Sequence, residues 1–262
     1  MPTRLAINGA AGRMGRRLIA LGNADPDLRI AAALESPACP RLSDDAGTLA
    51  GIEPLGVPIS AGLETDVDVV IDFSLPAGTD AALAVSLEKK LPLVVATTAL
   101  SAEQLKKLDD ASKEIPLLFA PNMSLAVNLG MKLVEVASEA LKGQDADVEI
   151  IERHHRFKED SPSGTALKFG QIVADRMGQT QHQHGREGRP GARPHNEIGY
   201  HAVRVGDNPG EHTIVFGLLG ETVEVTVRAS NRDCYAMGAL AAAKFLIGRP
   251  VGMYSMKDVL AF

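Results

Sequence analysis

A glycine-rich turn near the start of the chain constrains the fold more than any other feature of the sequence. Gly9, Gly12 and Gly15 have the spacing G-x-x-G-x-x-G, between an apolar run at residues 5–8 and a helix-like stretch at residues 13–21. Glycine is needed where a backbone turns sharply and approaches a ligand closely, and the N–H groups of a helix start bind anions. In this context the motif is typical of a site for the pyrophosphate of a dinucleotide. The alternative is a tight turn that binds nothing.

Strand and helix patterns alternate after this turn, through residue 120. The strand-like runs are 28–34, 67–73, 93–97 and 117–120, and the helix-like stretches are 77–90 and one that opens at Ser101. Strands that alternate with helices form βαβ units with right-handed crossovers. The first half therefore predicts an α/β fold with an N-terminal Rossmann-type parallel sheet.

An acidic residue at the end of the second strand bears on the choice of cofactor. Glu35 lies 20 residues after Gly15, where the acid of a dinucleotide-binding domain accepts hydrogen bonds from the adenosine ribose. A carboxylate there repels the 2′-phosphate of NADPH, and Ser36 supplies no charge to offset that repulsion. We therefore predict NADH as the preferred cofactor, with NADPH as the second. The alternatives are a solvated strand-end glutamate, and NADPH use restored by an arginine of the first helix.

The pattern changes near Ser124, where a second domain is expected to begin. The helix-like and strand-like segments there are 125–141, 147–153, 162–177, 202–205, 211–219 and 222–229. They predict an α+β domain on a mixed or antiparallel sheet. The polar segment 179–194 must be a surface loop, and the alanine-rich helix 236–246 could return to the first domain. We predict a Rossmann domain of residues 1–125 plus 233–262, and a substrate-binding domain of residues 126–232.

A basic strand end and the helix start that follows it form a second candidate site. His154, His155 and Lys158 end the strand pattern, and the next helix opens with Ser-Gly-Thr at residues 163–165. The helix start and Thr165 can bind one carboxylate while His155 and Lys158 bind another, and His154 and Lys158 are candidate proton donors. The alternative is a solvated basic strand end. A metal site is disfavoured, because adjacent strand residues such as His154 and His155 point to opposite faces.

Composition narrows the classes of function. The net charge of −6 argues against a general nucleic-acid-binding protein, which presents a basic face. No apolar run reaches the length of a membrane span, and the N-terminus lacks an export signal. Two cysteines, Cys39 and Cys234, are too few for a disulfide framework or a structural zinc site. We therefore expect a cytoplasmic protein that binds neither nucleic acid nor membrane.

Together the two candidate sites resemble those of one family, the 4-hydroxy-tetrahydrodipicolinate reductases (dihydrodipicolinate reductases) of bacterial lysine biosynthesis. The resemblance covers essentially the whole chain. Its most specific part is EIIERHHRFK at residues 149–158 with SPSGTA at residues 161–166, and GAAGRMG at residues 9–15 resembles the cofactor signature. It implies a reductase that passes a hydride from NAD(P)H to 4-hydroxy-tetrahydrodipicolinate, giving tetrahydrodipicolinate. It also implies a homotetramer built through the second sheet.

The resemblance implies roles for individual residues as well. His154 would be the catalytic proton donor and acceptor, and Lys158 a proton donor to the reduced carbon. The implied substrate-binding residues are His155, Ser163, Gly164 and Thr165. The implied cofactor-binding residues are Gly9, Ala10, Ala11, Gly12, Arg13, Met14, Glu35, Ala96, Thr97, Thr98, Ala120, Pro121, Asn122 and Met123. No metal-binding residue is implied.

The chain departs from the family pattern at several positions. The family usually has G-T-T-G where this chain has Ala96-Thr97-Thr98-Ala99, and alanine fits there if the backbone φ is negative. Met123 stands where phenylalanine is frequent, and Ser36 where members that use NADPH well tend to carry arginine. Two other functions remain open: a related amino-acid dehydrogenase on the same two-domain plan, and a non-catalytic nicotinamide sensor. Lys158 and the helix start at 163–165 argue against both.

Overall fold

A sheet of seven parallel strands organises the first of two units into which the chain divides. The computed structural model describes residues 1–262. Unit 1 contains residues 1–125 and 233–262, and unit 2 contains residues 126–232. The elements in chain order are β1 (Thr3–Asn8), α1 (Arg13–Ala24), β2 (Leu28–Leu34), α2 (Ala46–Ala50), β3 (Ile59–Ser60), β4 (Val69–Asp72), α3 (Pro76–Lys89), β5 (Leu93–Val95), α4 (Ala102–Ala111), β6 (Pro116–Phe119), α5 (Leu125–Ala140), β7 (Asp147–His154), α6 (Gly164–Met177), β8 (Gln181–His184), β9 (Glu197–Arg204), β10 (Glu211–Leu218), β11 (Glu221–Arg228), α7 (Asp233–Leu246), β12 (Gly252–Tyr254) and α8 (Met256–Val259).

The strand order of unit 1 is β12-β6-β5-β4-β1-β2-β3. All its strand pairs are parallel. The chain order of the strands reverses between β1 and β4, and ligands of open α/β sheets bind beyond the carboxyl ends of the strands at such a switch point. The predicted Rossmann-type sheet is confirmed, and the glycine-rich turn lies directly after β1.

Side chains of β1 alternate between two hydrophobic cores, one on each face of this sheet. Leu5 and Ile7 pack with residues of α1 and α7, whereas Ala6 packs with residues of neighbouring strands and of α3 and α4. Because both faces are covered by helices, the central strands are apolar throughout rather than alternating. This explains why they stand out in the sequence as short continuous apolar runs.

Unit 2 is built on a mixed five-stranded sheet of order β11-β10-β7-β9-β8. β7 is antiparallel to β10 and parallel to β9. One face packs against α5 and α6 around a core that includes Phe169, Phe216 and Ile150. The predicted second sheet is confirmed, and of the two arrangements considered it is the mixed one.

The expectation of a structureless surface loop at residues 179–194 is wrong in part. β8 lies within it and pairs in parallel with β9. All four residues of β8 are exposed, and the rings of His182 and His184 stack on Tyr200. Backbone pairing at a sheet edge requires no apolar residue, so the hydropathy pattern carries no sign of this strand.

None of the helices has both the length and the apolar character needed to span a membrane.

Candidate cofactor and substrate sites

The three glycines of the turn after β1 serve different needs. Gly9 has φ +80°, and a Cβ there would lie 2.6 Å from the Phe73 carbonyl oxygen. A Cβ at Gly15 would lie 2.1 Å from the Gly9 oxygen, so close packing of α1 requires glycine. Gly12 has φ −69°, and its nearest obstacle would be the Gly9 oxygen at 3.1 Å. The fold itself therefore demands Gly9 and Gly15, and at Gly12 the Gly9 carbonyl oxygen leaves little room for a Cβ.

The backbone N–H groups of the turn divide into two sets. Gly9 and Ala10 donate to the Leu34 carbonyl at 3.0 and 3.1 Å, so they hold the turn to the end of β2. The N-cap of α1 is Gly12, which offers no side-chain cap to the first-turn N–H groups of Arg13 and Met14. First-turn N–H groups have no acceptor within their own helix and are suited to a pyrophosphate. The N–H groups of this turn that are suited to bind an anion are therefore those at its helical end.

Glu35 lies against the glycine-rich turn, where the spacing predicts it. Its Oε1 accepts from the Ala11 N–H and its Oε2 from the Ser36 N–H, each at 3.1 Å. The Ser36 hydroxyl accepts from the Ala38 N–H at 3.3 Å. Arg17 donates to both Asp233 oxygens, at 2.7 and 2.8 Å. The carboxylate is thus fixed at the end of β2, and Arg17 is held by a partner of its own.

Asp72, which the sequence analysis did not single out, ties together three turns at the carboxyl edge of the sheet. It is fully buried. It accepts from Asn8 Nδ2 at 2.8 Å, from Thr79 Oγ1 at 2.6 Å and from Thr97 Oγ1 at 2.8 Å, and also from the Ser74 hydroxyl. The hydroxyl of Thr97 therefore points into this network, and Thr97 shapes the loop after β5.

The other residues predicted near the nicotinamide occupy mixed surroundings. Ala96, Ala120 and Met123 are buried, and Met123 belongs to the hydrophobic core of unit 1. Thr98 and Pro121 are exposed, and Asn122 Oδ1 accepts from the Ser124 N–H at 3.0 Å. Ala99 has φ +59°, so the negative φ that would suit alanine is not present at this position. An L-residue in that conformation carries a steric cost that glycine avoids.

In unit 2 the core face of β7 changes from apolar to charged at the strand end. Val148 and Ile150 lie in the core, and Glu152 and His154 follow on the same face. His154 Nδ1 forms a hydrogen bond with Glu152 Oε2. Arg204 on β9 donates to both Glu152 oxygens, at 2.9 and 2.8 Å. Glu152 is 1% exposed and His154 7%, so this is a buried ion-pair cluster.

The cluster sets the charge states of its members. Burial raises the pKa of Glu152, but the hydrogen bonds from Arg204 and His154 outweigh it, and the pKa lies below its ordinary value. Burial lowers the pKa of His154, Glu152 opposes this, and Lys158 and Arg204 add to the lowering. Glu152 is therefore ionised, and His154 is neutral near neutral pH.

A second histidine lies edge-on to the first. The ring of His212, on β10, is centred 5.2 Å from that of His154. Its Nε2 is hydrogen-bonded to the Ser163 hydroxyl at 3.0 Å. Burial, and then the neighbouring His154, lower the pKa of His212 to about 4. Ser163 is the N-cap of α6 and accepts from the Ala166 N–H, so its side chain supports the helix start from within the fold.

The remaining predicted substrate residues lie around this cluster. Nδ1 of His155 is buried and lacks a hydrogen-bond partner. Lys158 Nζ donates to Asp160 Oδ1 at 2.6 Å. Gly164 is exposed at the start of α6, where a Cβ would meet nothing within 4 Å, and Thr165 follows it in the first turn. Lys158 lies close enough to His154 to lower its pKa, and the Ser163 N–H donates to Glu152 at 3.1 Å. His154, Lys158 and the start of α6 therefore lie at one end of β7, and His155 follows His154 directly in the chain. No group of three or more His, Cys, Asp or Glu side chains in residues 1–262 is arranged to hold a metal ion.

The sequence predicts no role for Glu152, Arg204 or His212. The sequence does contain a signal for Glu152. Residues i and i+2 of a strand lie on one face, so Glu152 lies beside His154. Arg204 and His212 carry no such local signal, since strand pairing alone brings them to β7.

Both halves of the chain match one family of known proteins. Residues 3–123 match the N-terminal part of dihydrodipicolinate reductase, and residues 126–260 match the C-terminal part. A 4-hydroxy-tetrahydrodipicolinate reductase of Rhodopirellula baltica is 55% identical, covering 99% of this chain and 96% of its own. Another, of Alkalilimnicola ehrlichii, is 49% identical, covering 99% of each.

Solved structures agree with these matches. A dipicolinate-bound dihydrodipicolinate reductase from Paenisporosarcina sp. TG-14 has a TM-score of 0.79 and 25% identity, over 98% of this chain and 99% of its own. An amine dehydrogenase from Mycobacterium smegmatis has a TM-score of 0.67 at 12% identity, over 98% and 95%. The second likeness is one of fold alone. The chain therefore belongs to the dihydrodipicolinate reductase family, the nicotinamide-dependent oxidoreductases that reduce 4-hydroxy-tetrahydrodipicolinate in lysine and diaminopimelate biosynthesis.

Proposed function

We propose that unit 1 of this reductase binds the nicotinamide cofactor and that unit 2 binds the dicarboxylate substrate, with His154 and Lys158 handling its protons. The observation that carries this proposal is the meeting of His154, Lys158 and the start of α6 at one end of β7. One buried histidine, one ammonium group and a helix N-terminus together suit a small molecule with two carboxylates. The dipicolinate bound to the related reductase supports the same class of substrate.

The turn after β1 supports the cofactor assignment. When bound, NADH or NADPH supplies the hydride. Gly12 places no side chain over the turn, and the N–H groups of Arg13 and Met14 offer positive dipole ends to the pyrophosphate. Gly9, Ala10 and Ala11 contribute by shaping the turn. We assign Ala96, Thr97, Thr98 and residues 120–123 to the loops that position the nicotinamide, with Asp72 holding Thr97 in place.

The open space beside Gly164 supports the substrate assignment. Its φ is not positive, and an added Cβ would meet nothing, so neither backbone strain nor packing explains a glycine at a helix start, where alanine is the better helix former. Close approach of a carboxylate does explain it. The unpaired, buried Nδ1 of His155 supplies a second polar group that a ligand can satisfy.

Proton transfer follows from the charge states of the cluster. Since His154 is neutral in the free protein, binding a dianion beside it favours the imidazolium form, which makes His154 a proton donor in the complex. Lys158 provides a second positive charge. In the free protein its ammonium group pairs with Asp160, and a substrate carboxylate competes with Asp160 for it.

We also propose a preference for NADH over NADPH. Glu35 is held on the turn, Ser36 is neutral, and Arg17 is engaged by Asp233. Arg16 lines a cavity of about 430 Å³ together with Arg41, Asp44 and Asp45. Of the three arginines of α1, Arg17 is the one held in an ion pair, so Arg13 and Arg16 are the groups whose charge opposes this preference.

The cofactor preference is tested by comparing kcat/KM for the two cofactors at one ionic strength, because salt screens the phosphate charge. Ser36→Arg is expected to raise kcat/KM for NADPH with little change for NADH. A wild-type enzyme that favours NADPH by about tenfold, or about 1.4 kcal/mol, would show that this assignment is wrong.

A homotetramer in the cytoplasm is proposed from the family resemblance. The sheet face of unit 2 that α5 and α6 leave uncovered carries Val203 at 39% exposure. Sedimentation equilibrium measures the assembly directly, and a monomer at working concentration would contradict it.

The central experiment follows NADH absorbance with and without freshly prepared 4-hydroxy-tetrahydrodipicolinate. We expect consumption only with the substrate, and a loss of turnover in His154→Gln. Turnover of amino acids instead would support the dehydrogenase alternative, and NADH binding with no turnover would support the sensor.

A further inference from the structure

We propose that Glu152 is a positioning residue for His154: its carboxylate accepts the Nδ1–H of the imidazole and leaves Nε2 as the nitrogen that exchanges a proton with the substrate. The inference rests on the proposed catalytic role of His154 and adds a partner that acts through it. Glu152 lies two residues earlier on the same face of β7, so the pair is built into a single strand.

The carboxylate is held on both oxygens. Oε2 meets His154 Nδ1 and accepts from Arg204 Nη1 at 2.9 Å. Oε1 accepts from Arg204 Nη2 at 2.8 Å and from the Ser163 N–H at 3.1 Å. A carboxylate that pairs with a bidentate arginine is ionised and can only accept hydrogen bonds. The hydrogen on the imidazole must therefore be on Nδ1, and in the neutral ring Nε2 carries a lone pair.

The other ring nitrogen of His154, Nε2, has no side chain beside it at Gly210. A Cβ at Gly210 would lie 3.0 Å from His154 Nε2, so the glycine leaves space beside that nitrogen. His212 approaches the ring edge-on without displacing Glu152. The imidazole is thus held on one nitrogen and open at the other, which is the arrangement a proton-transferring histidine requires.

Arg204 links Glu152 to the segment that carries Lys158. Its Nη2 also donates to the Asp160 carbonyl oxygen at 2.7 Å. Glu152 therefore joins, through two donors, the end of β7, the segment that carries Lys158 and the start of α6. Loss of the carboxylate is expected to disturb the tautomer and pKa of His154 first, because His154 is its direct partner.

The test compares Glu152→Gln with Glu149→Gln. Glu149 lies on the same strand with its carboxylate bound by Arg186 and His201, at 2.6 and 2.7 Å, and it does not contact His154. We expect Glu152→Gln to lower kcat on the order of 10–100-fold with KM for NADH unchanged. Glu149→Gln is expected to keep kcat within about twofold while losing a comparable ion pair.

The pH profile separates positioning from simple structural support. The charged groups facing His154 are Glu152, Lys158 and Arg204, with His212 beside it. Removal of the negatively charged Glu152 carboxylate lowers the pKa of His154. The decline of kcat at alkaline pH therefore moves to lower pH in Glu152→Gln. A decline at the wild-type pH, with kcat equal to that of Glu149→Gln, would overturn the proposal.

A measurement on the wild-type chain decides the matter even if Glu152→Gln fails to fold. Nitrogen-15 NMR of labelled histidine, with His154 assigned by its absence in His154→Gln, reports which ring nitrogen carries the hydrogen at neutral pH. We expect the Nδ1–H form, and an Nε2–H form would overturn the inference. Normal turnover in His154→Gln would instead remove the proposed catalytic role of His154, an outcome that the tautomer measurement does not depend on.

Discussion

The glycine-rich turn of unit 1 and the strand end of unit 2 are both assigned to bind anions, but they are built differently. The turn uses backbone: a glycine at residue 12, without a side chain, and the N–H groups that begin α1. The strand end uses side chains: the buried pair Glu152–His154, clamped by Arg204. A backbone site works with neutral dipoles, whereas a side-chain site buries charges that must be paired.

This difference has consequences for what each region tolerates. Changes in the turn act through shape and should leave the chemistry at His154 untouched. Changes in the cluster act through charge, so they should depend on pH and alter turnover more than cofactor affinity.

Lys158→Ala is expected to lower kcat by roughly 10²–10⁴-fold, the range for loss of a general acid. The affinity for NADH should stay unchanged, because Lys158 lies with the substrate groups of unit 2. Steady-state kinetics and NADH calorimetry measure the two quantities, with Lys168→Ala, an exposed lysine of α6, as the control. An unchanged kcat would remove Lys158 from the mechanism.

Gly12→Val is expected to weaken NADH binding at least about 100-fold, or about 3 kcal/mol. The new side chain would fill the space through which a pyrophosphate approaches the turn. Calorimetry with NADH checks this, and dipicolinate affinity reports whether unit 2 is intact. The control is Gly62→Val, because Gly62 has no positive φ and an added Cβ there would meet nothing within 4 Å. Normal NADH affinity in Gly12→Val would move the cofactor site elsewhere.

The buried His212 should make the protein lose stability as the pH falls. Its pKa of about 4 in the folded state lies below the ordinary value, so between roughly pH 6.5 and 4 the unfolded chain binds a proton that the folded chain does not. The free energy of unfolding should therefore fall across this window by up to about 3 kcal/mol, and level off below it for this group.

Denaturant unfolding at several pH values measures the slope. His212→Gln, which can still hydrogen-bond Ser163, should make the slope shallower. His154 adds to the same window, whereas Glu149, with its pKa lowered to about 2 because Arg186 and His201 outweigh burial, acts only at lower pH. An unaltered slope in His212→Gln would mean that His212 is protonated or accessible in the folded chain.

Gly164→Ala is expected to weaken dipicolinate binding by about tenfold while the free energy of unfolding stays the same or rises by up to about 1 kcal/mol. The methyl group would occupy the space assigned to a substrate carboxylate. Gly217→Ala in β10 is the control, because its Cβ would meet only Asp147 Cβ at 3.9 Å. Unchanged dipicolinate affinity would take Gly164 out of the substrate site.

The parallel sheet was largely predictable, because each buried strand forms a short apolar run between helix patterns. The short strands of unit 1 cannot be predicted in this way, because β3 has two residues and β12 has three, too few to show a period. The hydropathy pattern also misses β8, because its residues are polar and exposed. Ala99 illustrates a different limit, since its positive φ follows from the loop it closes and not from its own identity.

The local sequence pattern predicts the glycine-rich turn, the alternation of the longer strands and helices in unit 1, and the basic strand end with its Ser-Gly-Thr helix start. These features depend on neighbours within a few positions, so a local pattern is sufficient to predict them. Tertiary structure decided which partners hold His154 and Thr97. Glu152 and Arg204 meet across 52 positions of chain, and Thr97 reaches Asp72 across 25. Such contacts depend on how strands pair and at what register, and a one-residue change of register would point those side chains to the opposite face.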